Sequence, residues 1–415
     1  MIAINRHILP NGLRIVHNED RSTQMVAINV LYDVGSRDED EERTGFAHLF
    51  EHLMFGGSAN IPDYDTPVQE SGGENNAWTT NDLTNYYITL PRQNIEVGFW
   101  LESDRMLGLA FSPESLEVQR QVVMEEFKQR DLNQPYGDAS HLTRSMAYKV
   151  HPYRWPTIGK ELSHIANATL DDVKDFFYRF YAPNNAILAV AGNISFDEVI
   201  NLAEKWFGPI PHRKVQKRNL PAEPHQTGIR RMDVTRDVPL DTLYMTFHTC
   251  DRLHSDYYAT DMLSDLLANG RSSRLTQHLV KEHQVFSQID AYITGSIDEG
   301  LLQICGKPLP GISLQEAEEW VWKELDLLAH TTPDENELEK VKNRYEAEQT
   351  FKSVNFLNNA INMAYFELIS RAEDMNDEIS RYRSVSPEDI RNVAGKVFRK
   401  ENCSILYYFA RKEKD

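Results

Sequence analysis

The chain has 415 residues, of which 41% are hydrophobic and 26% charged, and its formal net charge is -19. That is the composition of a globular protein too long for one hydrophobic core, so two or more domains are expected. Phosphate contacts need clusters of Lys and Arg, so the acidic balance argues against nucleic acid or an anionic membrane surface as partners. No run approaches the roughly 18 apolar residues of a membrane span.

The first ten residues, Met1 to Pro10, lack the apolar stretch of about 7–15 residues that a signal peptide carries. Cys250, Cys305 and Cys403 are odd in number, far apart and outside any C-x-x-C pair, which suits ordinary thiols in a reducing compartment. A cytoplasmic location is therefore expected.

The next informative segment is His48-Leu49-Phe50-Glu51-His52. On a helix His48 and His52, at i and i+4, lie on one face with Glu51 beside them. Two neutral imidazoles in that position can bind a borderline metal such as zinc, and a carboxylate that is not a ligand can take a proton from an attacking water. The order H-x-x-E-H is the inverted form of the common zinc-peptidase motif. Phe46, Leu49, Phe50, Leu53, Met54 and Phe55 surround it, which predicts a buried helix whose polar side chains need partners.

Gly72-Gly73 marks a turn, and Glu74-Asn75-Asn76-Ala77-Trp78-Thr79, with the Thr and Tyr residues beyond it, favours an extended strand. Further on, Val122-Val123-Met124-Glu125-Glu126-Phe127 reads as a helix. Its wheel puts Glu126 on the apolar arc with Val122 and Val123 and leaves Glu125 outside, so Glu126 is the candidate third zinc ligand.

With these three segments the chain resembles the pitrilysin family of inverzincin zinc peptidases. It is similar to the short two-domain type that includes the zinc-bearing beta subunit of mitochondrial processing peptidase and bacterial homologues. The family follows H-x-x-E-H with a glutamate ligand on a helix of this kind, and Glu126 lies 74 positions after His52. The resemblance implies one Zn2+ held by His48, His52 and Glu126, with Glu51 as general base. It also implies that the strand around Asn76 and Ala77 is a sheet edge beside the zinc, to which a peptide substrate adds as a further strand. Asn76 contributes its side chain there and Ala77 its backbone. One departure is Gln119, where the family often has another glutamate; Glu117 lies on a different face and does not replace it.

The chain also repeats itself. Thr169-Leu170-Asp171-Asp172-Val173-Lys174 through Ala186–Val190 matches Ser386-Pro387-Glu388-Asp389-Ile390-Arg391 through Cys403–Tyr407 at an offset of 217, each copy a capped helix, a connection and a strand. Val26–Val30 and Leu243–Phe247 match at the same offset. The expected architecture is α+β: two homologous domains, each a mostly antiparallel sheet packed with helices, related by internal duplication. Residues 1–212 form the zinc-binding domain, 213–228 a Pro-rich linker and 229–415 the second domain. The second copy contains no histidine between residues 255 and 275, so only the first can hold this zinc. Its Gly270-Arg271-Ser272-Ser273-Arg274-Leu275 resembles a family stretch that serves packing, and the polar helix from Pro333 to about Phe351 is expected to be a solvated face.

The function expected is that of a zinc endopeptidase acting on peptides or unfolded polypeptides. The rivals are a catalytically silent assembly subunit, as some family members are, and a protease dedicated to one precursor. Family members active as one polypeptide or as homodimers commonly carry an Arg and a Tyr in the second half that grip the substrate and its oxyanion. Here those positions are Val280 and Ser287. A homologous partner subunit that supplies Arg and Tyr is therefore expected, with a homodimer or monomer using a residue such as Tyr292 as the alternative.

Overall fold

The computed structural model describes residues 2–215 and 218–411, so Gln216 and Lys217 of the expected linker lie outside the described residues. Six strands form the first sheet: β1 (Asn5–Ile8), β2 (Arg14–Glu19), β3 (Met25–Tyr32), β4 (Glu74–Thr79), β5 (Thr84–Pro91) and β6 (Ala186–Gly192). Five form the second: β7 (Arg230–Arg236), β8 (Thr242–His248), β9 (Phe286–Ile293), β10 (Leu301–Pro308) and β11 (Cys403–Ala410). Their orders are β1-β2-β6-β3-β5-β4 and β7-β11-β8-β10-β9. Among the described strands, the β2–β6 and β7–β11 pairs are parallel and the others antiparallel. The α+β architecture of two homologous domains is thus present, and the duplication extends to β5 and β10, which occupy residues 84–91 and 301–308. The repeated helix has the same start in both copies. Thr169 and Ser386 each accept the N–H three residues on, while Asp172 and Asp389 bond back to them.

In the first unit the central strands are apolar on both faces. Ile15, Val26, Ile28, Val30, Ile88 and Val190 face a core built with the helices Phe46–Leu53, Ile95–Leu107 and Leu170–Phe180. The alternate residues Val16, Ala27, Leu31, Ile187 and Ala189 face Ala360, Met363 and Ala364 of the helix Phe356–Ile369. Alternation with both sets apolar is the pattern of a strand covered on two sides.

The covering helix comes from far down the chain. The first compact unit comprises residues 1–129, 155–220 and 350–377, and the second comprises 130–154, 221–349 and 378–415. In the second unit the helix Ala139–Ala147 packs its Ala139 and Met146 on Tyr244, Leu406 and Tyr408. The helix at 139–147 and its repeat at 356–369 are therefore exchanged between the two sheets, and neither unit is one contiguous stretch. The physical reason is that each sheet needs a cover on its second face, and apolar pairing does not depend on which copy supplies it.

The stretch 213–228 has no helix or strand among its described residues, yet it is tied down. Arg218 donates to Asp38 at 2.7 and 2.9 Å and to Asp33 at 3.0 Å. Within the second unit, Glu223 accepts the N–H groups of Lys149, Val150 and His151 at 2.8–3.0 Å. The polar helix spans Glu335–Ser353 and, as expected, is largely a solvated face, with Leu338 and Val341 buried. Glu337 forms a two-pronged ion pair with Arg274 at 2.7 and 2.8 Å, and Lys340 donates to the Ser272 carbonyl at 2.7 Å. The basic loop after Gly270 is thus a packing element, as its sequence suggests. None of the helices among the described residues is long and apolar enough to cross a membrane.

Candidate metal centre

The H-x-x-E-H segment forms the short helix Phe46–Leu53. Its apolar face is buried: Leu49 and Phe50 are fully enclosed, and Phe50 packs on Phe176, Phe177 and Tyr181 with ring centroids 4.7–6.1 Å apart. Each such side chain stabilises by about 1.5–3 kcal/mol, which anchors a helix too short to persist alone. Below it lies a buried ion pair, Arg105 with Glu102, both fully enclosed. The Arg105 guanidinium stacks on Tyr86 and Tyr64 at 4.5 and 4.6 Å.

The opposite face carries His48 and His52, whose rings stand nearly perpendicular with centroids 4.9 Å apart. They meet the helix Pro113–Phe127, which Ser112 caps by accepting the Ser115 N–H. His48 Nε2 lies 3.4 Å from Glu126 Oε2, and His52 Nε2 lies 3.7 Å from Glu126 Oε1. One ligand atom from each of the three lies within 4.8 Å of the others. Three donors around one tetrahedral zinc, at bonds of about 2.0–2.2 Å, stand about 3.4 Å apart, so the spacing and the N, N, O donor set both fit zinc.

The two adjacent glutamates separate as the wheel suggests. Glu125 turns outward and accepts Lys128 Nζ at 2.5 Å. Glu117 also faces out, paired with Arg120 and with Gln121, and Gln119 is half-buried. The expected apolar arc is narrower than predicted. Val123 is enclosed, but Val122 is 41% exposed, because this helix is covered on one side only.

Glu51 stands outside the ligand group. Its Oε2 accepts the hydroxyl of Thr79 at 2.7 Å, and Thr79 is the last residue of β4. β4 pairs with β5 alone and forms the free edge of the first sheet. Asn76 is exposed and Ala77 half-buried. The Ala77 N–H donates to its neighbour's side chain, Asn76 Oδ1, at 2.8 Å, so it points along the free edge rather than into the ladder with β5.

Sequence reasoning missed Thr79 and the Arg105–Glu102 pair. Thr79 sits inside the stretch that drew attention to Asn76 and Ala77, but only the fold brings its hydroxyl to Glu51. In the second unit, Val280 is packed at the edge of the core, and Ser287 Oγ donates to the Lys307 carbonyl at 3.0 Å. The Tyr292 hydroxyl donates to Gln303 at 2.8 Å along the sheet.

Two family models match the chain: Insulinase (Peptidase family M16) over residues 14–160 and Peptidase M16 inactive domain over residues 167–345. A zinc protease of Helicobacter pylori, PqqE, is 28% identical over 407 residues, covering 96% of this chain and 91% of the relative. The crystal structure of a protease from Helicobacter pylori superposes with a TM-score of 0.91 at 28% identity, over 98% of this chain and all of the other. The peptidase M16 inactive domain from Pseudomonas fluorescens shares the fold, with a TM-score of 0.88 at 16% identity over 100% of this chain and 99% of the other.

Proposed function

The chain belongs to peptidase family M16, the insulinase family, and from that membership we propose that it is a zinc-dependent endopeptidase of peptides or unfolded polypeptides. The observation that carries this reading is the convergence of His48, His52 and Glu126, with Glu51 beside them on the same helix and outside the ligand set. His48, His52 and Glu126 would hold the zinc, which would supply Lewis acidity to the scissile carbonyl and to the attacking water. Glu51 takes the water's proton and delivers it to the leaving amine. The Thr79 hydroxyl orients the Glu51 carboxylate for that transfer. A silent assembly subunit has no need of this complete set. A cytoplasmic location is part of this proposal, in keeping with Cys250, Cys305 and Cys403 as free thiols.

The test is metal analysis with a fluorogenic peptide library. One zinc per chain is expected, with cleavage lost to a chelator and restored by zinc; a chain that purifies and reconstitutes without zinc sinks the reading.

Substrate is proposed to pair with β4, where the outward Ala77 N–H supplies a main-chain donor once the Asn76 side chain swings away. Ala77→Pro removes that donor without removing a bond to β5, whereas Ala77→Ser keeps it. The proline variant is expected to raise KM at least tenfold and the serine variant to leave it nearly unchanged. Equal Michaelis constants reject strand addition at this position.

A further inference from the structure

The metal helix has only eight residues, and its N-cap, Gly45, sits at φ +85° with no side chain to cap the first turn. The acceptor comes from upstream. Glu39, 8% exposed, accepts the Gly45 N–H at Oε2 (2.9 Å) and the Ala47 N–H at Oε1 (2.8 Å). The Trp155 indole donates to the same Oε2 at 3.2 Å. One buried carboxylate thus satisfies two of the four orphan amides of the helix, on either side of Phe46 and directly before His48. Burial raises the Glu39 carboxyl, and the Ala47, Gly45 and Trp155 donors pull it back toward the ionised form.

The turn that carries Glu39 is also stitched to the hairpin of the edge strand. Ser36 N–H donates to the Thr80 carbonyl at 3.2 Å and Arg37 N–H to the Asn81 carbonyl at 2.9 Å. Arg37 pairs with Asp82 at 2.9 Å, with both side chains buried, and Asn81 Nδ2 donates to Ser36 Oγ at 2.7 Å. The approach is so close that a Cβ on Gly35 would stand 2.4 Å from the Asn81 carbonyl oxygen. Residues 80–82 lie in the turn between β4 and β5.

We propose that Glu39 is the positioning residue of the site: it fixes the rotation of the metal helix and the distance between that helix and β4. This rests on the zinc-peptidase reading above. The argument is one of lever arm. A side-chain nitrogen about 5–6 Å from a helix axis moves by about 1 Å for a 10° rotation, and a catalytic constellation tolerates about 0.5 Å. The buried aromatic contacts of Phe50 hold the helix against the core, but they are non-directional. The two hydrogen bonds from Glu39 are directional and lie next to the first zinc ligand.

The isosteric variant Glu39→Gln separates this role from simple packing. Its amide offers one acceptor oxygen and turns an NH2 toward a backbone N–H, so one of the two bonds is lost. With the full chain, zinc affinity is read by competition with a chromophoric chelator, kcat and KM with a fluorogenic peptide, and Tm on the zinc-free chain. Glu39→Gln is expected to weaken zinc binding by about 10- to 100-fold, as loss of a residue supporting a metal ligand typically does, and to lower kcat more than it raises KM. Trp155→Phe removes the indole donor to Glu39 together with its bond to the Ser36 carbonyl, and is expected to weaken zinc in the same direction by a smaller factor, which keeps the test decisive if the Gln variant does not fold. A lower zinc-free Tm with unchanged zinc affinity in the variant that folds overturns the role of Glu39 alone. A wild-type chain that binds no zinc overturns the metal reading and this role with it.

Discussion

Replacement of Glu51 by Gln is expected to lower kcat by about 10²- to 10⁴-fold, the usual contribution of a positioned general base, while the zinc content of the chain stays at the wild-type level. Glu51 is not among the three residues whose ligand atoms converge, and its carboxylate is held instead by the Thr79 hydroxyl at 2.7 Å. Glutamine preserves the shape and still accepts that bond, so what is lost is the ability to take a proton. Glu126→Gln should behave in the opposite sense. Its oxygens face both imidazoles, at 3.4 and 3.7 Å, and replacing the carboxylate by an amide removes the only negative charge of the ligand set. Zinc should then be lost, and activity with it. Zinc content by elemental analysis, measured beside kcat, decides the matter. A Glu51→Gln chain without zinc, together with a Glu126→Gln chain of full zinc affinity, means that the two glutamates have been assigned each other's roles.

The second large effect concerns what the second half does not carry. If a homologous partner supplies the Arg and Tyr, the chain alone is expected to bind zinc and yet cleave peptides about 10²- to 10³-fold more slowly than the pair, the factor that loss of one oxyanion donor costs. The two positions that the family resemblance assigns to the Arg and the Tyr are Val280 and Ser287. The first packs against the core of the second unit, and the second is bonded to the Lys307 carbonyl. Neither side chain is a guanidinium or a phenol. The expected partner is a homologous chain that lacks H-x-x-E-H and carries the Arg and Tyr. Mixing the two purified chains should restore turnover at stoichiometric ratio, with a matching change in mass by light scattering. Tyr292 is the alternative donor within this chain, and its hydroxyl is engaged by Gln303. Full peptidase activity from the highly purified single chain rejects the partner, and its loss in Tyr292→Phe then assigns the role to that residue.

Much of this protein was legible in local sequence because the chemistry that matters is local. His48, Glu51 and His52 share a helix face by spacing alone, and no tertiary contact can alter which residues stand at i, i+3 and i+4. Two capping boxes and a constant offset of 217 reveal the duplication, since helix starts and strand alternation are written in a few consecutive residues. The choice of Glu126 over Glu125 follows from a one-residue step of 100° on the wheel.

Other features depended on which segments meet, and local pattern carries no information about that. Apolar residues on both faces of β3 and β6 announce two covers, but not that the second cover of the first sheet comes from residues 356–369 or that residues 139–147 cover the second. The same limit applies at the site. Thr79 reaches Glu51 because β4 ends beside the metal helix, and Trp155, more than a hundred residues away in sequence, donates to the Glu39 carboxyl that holds Gly45 and Ala47. Local spacing places His48, Glu51 and His52 on one helix face and marks the repeat, and it singles out Glu126 as a candidate that the fold then brings to the two histidines. The tertiary structure alone decided the partners that aim them, because hydrogen bonds between distant segments exist only once the chain has folded.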